Sequence, residues 1–157
     1  MKIHGYPGPF GRGRSMNGLN NLNNAPGVLG MGIDIITISR MKEIVHRSGQ
    51  LFLNRVFAPC ELAFAHRLSE QSNDPIPYFA SAFAGKEAVF KALTLGWKQD
   101  VDFRQIQVGR EPDGAPVVTL VDSIKKQAKK MGCTRMLLSI SYETNLAVAM
   151  VMALGPD

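Results

Sequence analysis

From residue 28 onward the chain alternates β-branched runs with segments whose apolar positions recur at helical spacing. Val28 to Ile36 (VLGMGIDII) reads as a buried strand bounded by glycines. Behind it, Ile38, Met41, Ile44 and Val45 predict a helix, capped by Thr37 or Ser39, running to about Arg47 and ended by Gly49. A short helical stretch around Leu51 to Val56 follows, and Pro59 suits the first position of a further helix whose positive end favours Glu61. Ser72-Asn73-Asp74-Pro75 breaks the chain. From about Ile76 to Leu95 the positions Phe79, Phe83, Val89, Phe90 and Leu93 predict a long central helix, with Ala80, Ala84 and Ala88 as a small-residue packing face. Ile106–Val108 and Val117–Leu120 are strands around the turn Glu111-Pro112-Asp113-Gly114. Asp122 to Met131 forms an amphipathic helix bearing Lys125, Lys126, Lys129 and Lys130, closed by Gly132. Met136–Ser141 and Ala147–Leu154, joined by Tyr142-Glu143-Thr144-Asn145, make a terminal hairpin. The order of elements is α+β, with no internal repeat.

Composition narrows the class. A chain of 157 residues, 45% hydrophobic and 20% charged, suits one globular domain. Residues 1–27 differ: they are rich in Gly, Asn and Pro, carry Lys2, Arg12 and Arg14, and contain no acid. We read them as a disordered basic arm before a domain spanning residues 28–157. The arm lacks the continuous apolar core of a secretory signal; an organelle transit peptide is the alternative, though no amphipathic repeat supports it. No run approaches the roughly 20 apolar residues that cross a bilayer, and the longest, Leu146 to Leu154, has strand length. Cys60 and Cys133 form no CxxC pair, so a reducing compartment, the cytoplasm, is the default. The net charge of +5 favours an acidic partner: nucleic acid, an anionic surface, an acidic protein or a phosphorylated small molecule.

Candidate chemistry rests on two carboxylates. Asp34 sits inside an apolar strand, and Glu87 follows Phe79 and Phe83 at successive i, i+4 positions, so it points with the aromatic stripe. A charge taken out of water is costly unless it is compensated. Magnesium suits such a pair, since it prefers oxygen and commonly takes one or two carboxylates with water and substrate phosphate. Lys91, one turn beyond Glu87, reaches a phosphate as a point charge. The plainer readings are a turn or salt-bridge acid for Asp34 and an ordinary helix pair for Glu87 and Lys91, worth about 0.2–0.5 kcal/mol.

Gly32-Ile33-Asp34, with Arg40 six positions after the aspartate, and the segment Phe83-Ala84-Gly85-Lys86-Glu87-Ala88-Val89-Phe90-Lys91-Ala92 resemble the two defining motifs of the holo-acyl-carrier-protein synthase family of 4′-phosphopantetheinyl transferases. The resemblance runs in order from about Leu29 to Val151. It includes Phe52 to Phe57 with Pro59 and Glu61, Asp113-Gly114-Ala115-Pro116, and Leu138-Ser139-Ile140-Ser141 through Ala147-Val148-Ala149. It implies an antiparallel sheet packed against the long central helix. It also implies transfer of the phosphopantetheine arm of coenzyme A to a serine of apo acyl carrier protein in fatty acid biosynthesis, with release of adenosine 3′,5′-bisphosphate. By position, Asp34 and Glu87 would hold Mg2+, Glu87 and Lys91 would be catalytic, and Lys91, Gly96 and Tyr142 would contact coenzyme A. Glu87 or a water molecule would accept the serine proton. Arg40 matches the motif arginine that meets the acidic carrier, with Arg55, Lys42 and Arg47 as neighbours. Family members of this size resemble trimers with shared active sites, and the same is expected here.

The sequence departs from the family pattern at four places. Tyr142 stands where a histidine usually follows Ser-x-Ser, Ala82 where an arginine commonly precedes Phe83, and Ala115 where a basic residue often lies between Gly114 and Pro116. Thr94-Leu95-Gly96 replaces the more usual glycine-bearing loop. Other readings stay open: a degenerate paralogue that binds carrier or coenzyme A without transfer, and a transferase for polyketide or peptide carrier domains. A nucleic-acid module is encouraged only by charge and the four lysines, with no recognised motif, and neither nucleic acid nor membrane is the expected partner.

Overall fold

The computed structural model describes residues 27–95 and 101–156. Strand β1 (Val28–Thr37) runs into helix α1 (Ile38–Val56), where the Thr37 hydroxyl accepts from the Arg40 amide and so caps the first turn. Gly49 interrupts α1 with φ 50° and ψ −140°, a break glycine adopts at little steric cost. Helix α2 (Pro59–Glu70) begins with Pro59, helix α3 (Ile76–Ala92) follows the predicted break, and a 3-10 turn (Phe103–Gln105) leads into β2 (Ile106–Arg110). β3 (Pro116–Leu120), α4 (Asp122–Lys130), β4 (Arg135–Glu143) and β5 (Leu146–Leu154) complete the described chain.

β1, β5 and β4 form an antiparallel sheet in the order β1-β5-β4, and β2 and β3 form a separate hairpin. Gly30, Gly32, Asp34 and Ile36 occupy one face of β1, in register with Ala153, Val151, Ala149 and Ala147 of β5. Against that face lies α3, whose Ala80, Ala84, Ala88 and Ala92 are fully buried. The approach is close enough that a Cβ on Gly32 would stand 2.0 Å from the Ala88 carbonyl oxygen, and one on Gly30 2.1 Å from that of Ala92. Small residues on both elements therefore bring helix and strand together backbone to backbone. On its other side α3 packs aromatic against aromatic: Phe79 with Phe57 at 4.8 Å between centroids, and Phe83 with Phe52 at 6.4 Å and Phe103 at 6.2 Å.

Three expectations need correction. β1 is buried on one face only, because its residues alternate: Leu29, Met31, Ile33 and Ile35 point away from α3 and are exposed, Ile33 at 57% and Ile35 at 60%. The central helix ends at Ala92 rather than Leu95, closed by hydrogen bonds from the Thr94 amide to the Lys91 carbonyl and from the Leu95 amide to the Phe90 carbonyl. Tyr142 lies within β4, since that strand runs to Glu143 before the hairpin turns. Of the arm expected over residues 1–27, residues 1–26 lie outside the described residues.

Candidate active site

Three of the expected residues converge. Asp34 stands at the middle of β1 on the helix-facing side, and the glycine at position 32, one residue pair along the same face, lets α3 draw close enough to bring Glu87 and Lys91 alongside. Lys91 Nζ donates to Asp34 Oδ1 at 2.8 Å and to the Ile33 carbonyl at 2.8 Å. This pair is partly open to solvent, the lysine side chain at 48% and the aspartate at 19%. Glu87 is half-buried beside them. Burial, reinforced by the negative charge of Asp34 and opposed by Lys91, pushes its carboxyl up from the ordinary 4.5 to about 7.

Two carboxylates that repel each other on the rim of an apolar seam, with only one lysine between them, leave negative charge undercompensated. The donor set suits a hard divalent cation that completes its shell with water and phosphate oxygens. It does not suit a metal held entirely by protein, for no group of three His, Cys, Asp or Glu gathers among the described residues. The residues present thus fit magnesium in the manner the sequence implies, and Lys91 adds a fixed positive charge on the same edge of α3.

The other expected residues fall elsewhere. Tyr142 shares the sheet face of Asp34 but lies two strands across, in register with Ala147 and through it with Ile36; it is 57% exposed. Within one chain it does not join the carboxylates. Gly96 lies outside the described residues. Arg40 is exposed in the first turn of α1, directly after β1, and Arg55 is exposed in its last turn, beyond the Gly49 break. Lys42 and Arg47 are exposed on the intervening turns, while Met41 is fully buried in the core. Ala82 is buried as well, so its methyl group is packed inside the fold rather than directed to solvent.

Sequence reasoning missed the most deeply buried charges. Lys86 is 0% exposed and Glu61 2%. Lys86 Nζ donates to Glu61 Oε2 at 2.7 Å, to the Phe103 carbonyl at 3.0 Å and to the Ile106 carbonyl, so all three of its protons are taken. Glu61 also accepts from the Ala58 amide at 2.7 Å and the Val108 amide at 3.0 Å. Burial pulls the Lys86 ammonium below its ordinary value, and Glu61 opposes that pull. The pair ties the start of α2, the middle of α3 and the entry to β2 at one point. A signal for it was present: Phe79, Ala82, Lys86 and Phe90 recur at helical spacing, which sets the lysine inside the apolar stripe.

With this geometry in view, comparison with known proteins gives a consistent answer. The family model of the 4′-phosphopantetheinyl transferase superfamily matches residues 30–151. A holo-[acyl-carrier-protein] synthase of Koribacter versatilis is 34% identical over 125 residues, covering 80% of this chain and 97% of that protein. Among solved structures, the holo-[acyl-carrier-protein] synthase of Neisseria meningitidis superposes with a TM-score of 0.71 at 32% identity, covering 80% of this chain and 98% of that one. The enzyme of Helicobacter pylori, solved in complex with coenzyme A, superposes with a TM-score of 0.64 at 30% identity, covering 80% and 99%.

Proposed function

Since the chain belongs to the 4′-phosphopantetheinyl transferase superfamily, we propose that it moves the phosphopantetheine arm of coenzyme A onto a serine of apo acyl carrier protein. The serine oxygen attacks the phosphorus that carries the pantetheine, the bond from that phosphorus to the bridging oxygen breaks, and adenosine 3′,5′-bisphosphate leaves with the electron pair. The observation that carries the reading is the meeting of Asp34, Glu87 and Lys91 on one edge of the β1–α3 seam.

Asp34 and Glu87 are the proposed ligands of Mg2+. The bound cation would supply charge neutralisation at the pyrophosphate and the leaving phosphate. Lys91, anchored on Asp34 and the Ile33 carbonyl, is placed to exchange part of that pairing for a phosphate oxygen. Proton acceptance from the serine requires an ionised carboxylate or a water held by one. Lys91 and a cation both favour the ionised form of Glu87, which burial and the charge of Asp34 disfavour. Tyr142 and Gly96 are the further proposed contacts to coenzyme A. Arg40 and Arg55 are the proposed contacts to the carrier, whose acidic surface they would steer in a salt-dependent manner.

We place the reaction in fatty acid biosynthesis, in the cytoplasm, and the assembly as a homotrimer. What supports assembly is the bare outer face of the sheet, where Met31, Met152 and Leu137 lie in one register row and Ile33 and Met150 in the next. An apolar patch of this kind marks an interaction site. A neighbouring subunit seated there would also offer its own groups to a site that a single chain leaves open to solvent.

The test combines the full chain, Mg2+, coenzyme A and an apo acyl carrier protein, with the carrier's mass followed. Gain of the phosphopantetheine mass on serine is the expected result, and its loss by about 100-fold or more in Asp34→Asn and Glu87→Gln would support the site. Undiminished transfer by both variants would defeat the residue assignment, and retained carrier binding without any transfer would favour a degenerate paralogue.

A further inference from the structure

Strand β1 passes into helix α1 with no loop between them: Thr37 ends the one and Ile38 begins the other. A helix start leaves its first amides without intrahelical partners, so other groups must accept from them. The Thr37 hydroxyl serves the Arg40 amide, at 3.3 Å. The Ile38 and Ser39 amides both go to Asn145, 106 residues beyond Ser39 along the chain. Its backbone carbonyl accepts from the Ile38 amide at 2.9 Å, and its side-chain Oδ1 accepts from the Ser39 amide at 2.8 Å. Asn145 Nδ2 in turn donates to Ser39 Oγ at 3.0 Å. Carboxamide and serine hold each other by two bonds, and one residue fastens the first turn of α1 to the β4–β5 turn.

Thr144 and Asn145 are the two residues between the paired Glu143 and Leu146, and it is Thr144 that takes the positive φ, 49°. Glycine or asparagine suits such a position, whereas a β-branched residue does not. The asparagine stands next to it instead, with its side chain turned onto α1. What lies at the other end of this clamp is the site. Asp34 is three residues before Thr37 on β1, and Arg40 three residues after it on α1. Where the arginine stands relative to the carboxylate therefore depends on how α1 leaves the strand, and Asn145 fixes that departure.

We propose that Asn145 is a positioning residue for carrier docking: by clamping the first turn of α1 it holds Arg40 at a set place relative to Asp34, so that a carrier seated on Arg40 presents its serine to the carboxylate pair. The assignment rests on the function proposed above, with Arg40 as a contact to the carrier.

Calorimetric titration of an apo acyl carrier protein into the full chain, and separately of coenzyme A with Mg2+, tests this without relying on turnover. Asn145 is exposed, so truncating its side chain leaves the core packing in place. Asn145→Ala is expected to weaken the Kd for the carrier about 5-fold, the scale of a lost helix cap, while the Kd for coenzyme A stays within about 2-fold. Arg40→Ala is expected to weaken carrier binding as well. Adding Asn145→Ala to Arg40→Ala should then change that Kd by less than about 2-fold, because a residue that acts through Arg40 has nothing left to position. Asn145→Ala binding the carrier as tightly as the unmodified chain, weakening coenzyme A equally, or adding its full effect to that of Arg40→Ala would overturn the proposal, and so would an Arg40→Ala variant with unchanged carrier affinity. If the unmodified chain binds the carrier but leaves its mass unchanged, the transferase reading fails while the Asn145 assignment still stands or falls on these affinities. If it binds no carrier, both are overturned.

Discussion

A carboxyl group held near 7 changes charge within the physiological range, so Glu87 links folding to pH. Its folded value lies above the ordinary 4.5, so the folded state keeps a proton that the unfolded chain has already lost. Stability is therefore expected to fall as pH rises from about 4.5 to about 7 and to level off above. Thermal unfolding of the metal-free chain across this range, compared with Glu87→Gln, should show the slope in the first and its absence in the second. Adding Mg2+ should raise Tm more at pH 8 than at pH 5, because a cation favours the ionised carboxylate. Parallel curves for the two proteins would mean that burial and Asp34 do not perturb Glu87 as described. Asp34 was legible in the sequence as an acid out of place in an apolar strand. Its partial exposure was not, because alternation along β1 is masked when both faces carry apolar or small residues.

Elements meet in this fold through two devices of opposite chemistry. One is the seam of β1 and α3, where Gly32→Ala would drive a Cβ to 2.0 Å from the Ala88 carbonyl. That substitution is expected to cost about 1–3 kcal/mol in denaturant unfolding and to weaken transfer further by pushing Glu87 and Lys91 away from Asp34. Unchanged stability and activity would show that the seam is looser than the backbone contact indicates. The other device is the Lys86–Glu61 pair. Lys86→Met leaves the Glu61 carboxylate buried without its cation and is expected to cost about 3–5 kcal/mol, while Lys86→Met combined with Glu61→Gln should recover part of that. Equal losses in the single and double variants would contradict a coupled pair. The spacing of apolar positions foretold the helices, the hairpin and the terminal strands, because those elements bury one regular face each. It did not reveal the ion pair, because spacing can set Lys86 inside the apolar stripe of α3 but leaves its partner Glu61 looking like an ordinary first-turn charge of α2 until the two helices are placed together.

At the scale of the whole molecule, the sheet has one covered face and one bare one. Rows such as Met31–Met152–Leu137 and the exposed Ile33 and Ile35 are what a subunit boundary of this fold would bury. Sedimentation is expected to find an oligomer of three chains, reduced to monomers by Ile33→Glu without loss of secondary structure, and a monomeric unmodified chain would remove the proposed assembly. The separation of Tyr142 from Asp34 within one chain belongs to this scale too, since no pattern along the sequence shows that β5 lies between β1 and β4. The proposed transfer turns on one point in space: the meeting of Asp34 and Glu87 around a divalent ion beside a pyrophosphate. Crystals grown with coenzyme A and Mn2+ in place of Mg2+ would locate that ion by its anomalous scattering. A peak is expected within coordination distance of both carboxylates and of a pyrophosphate oxygen, with Lys91 turned toward the phosphates. Coenzyme A bound with its metal away from Asp34 and Glu87 would contradict it.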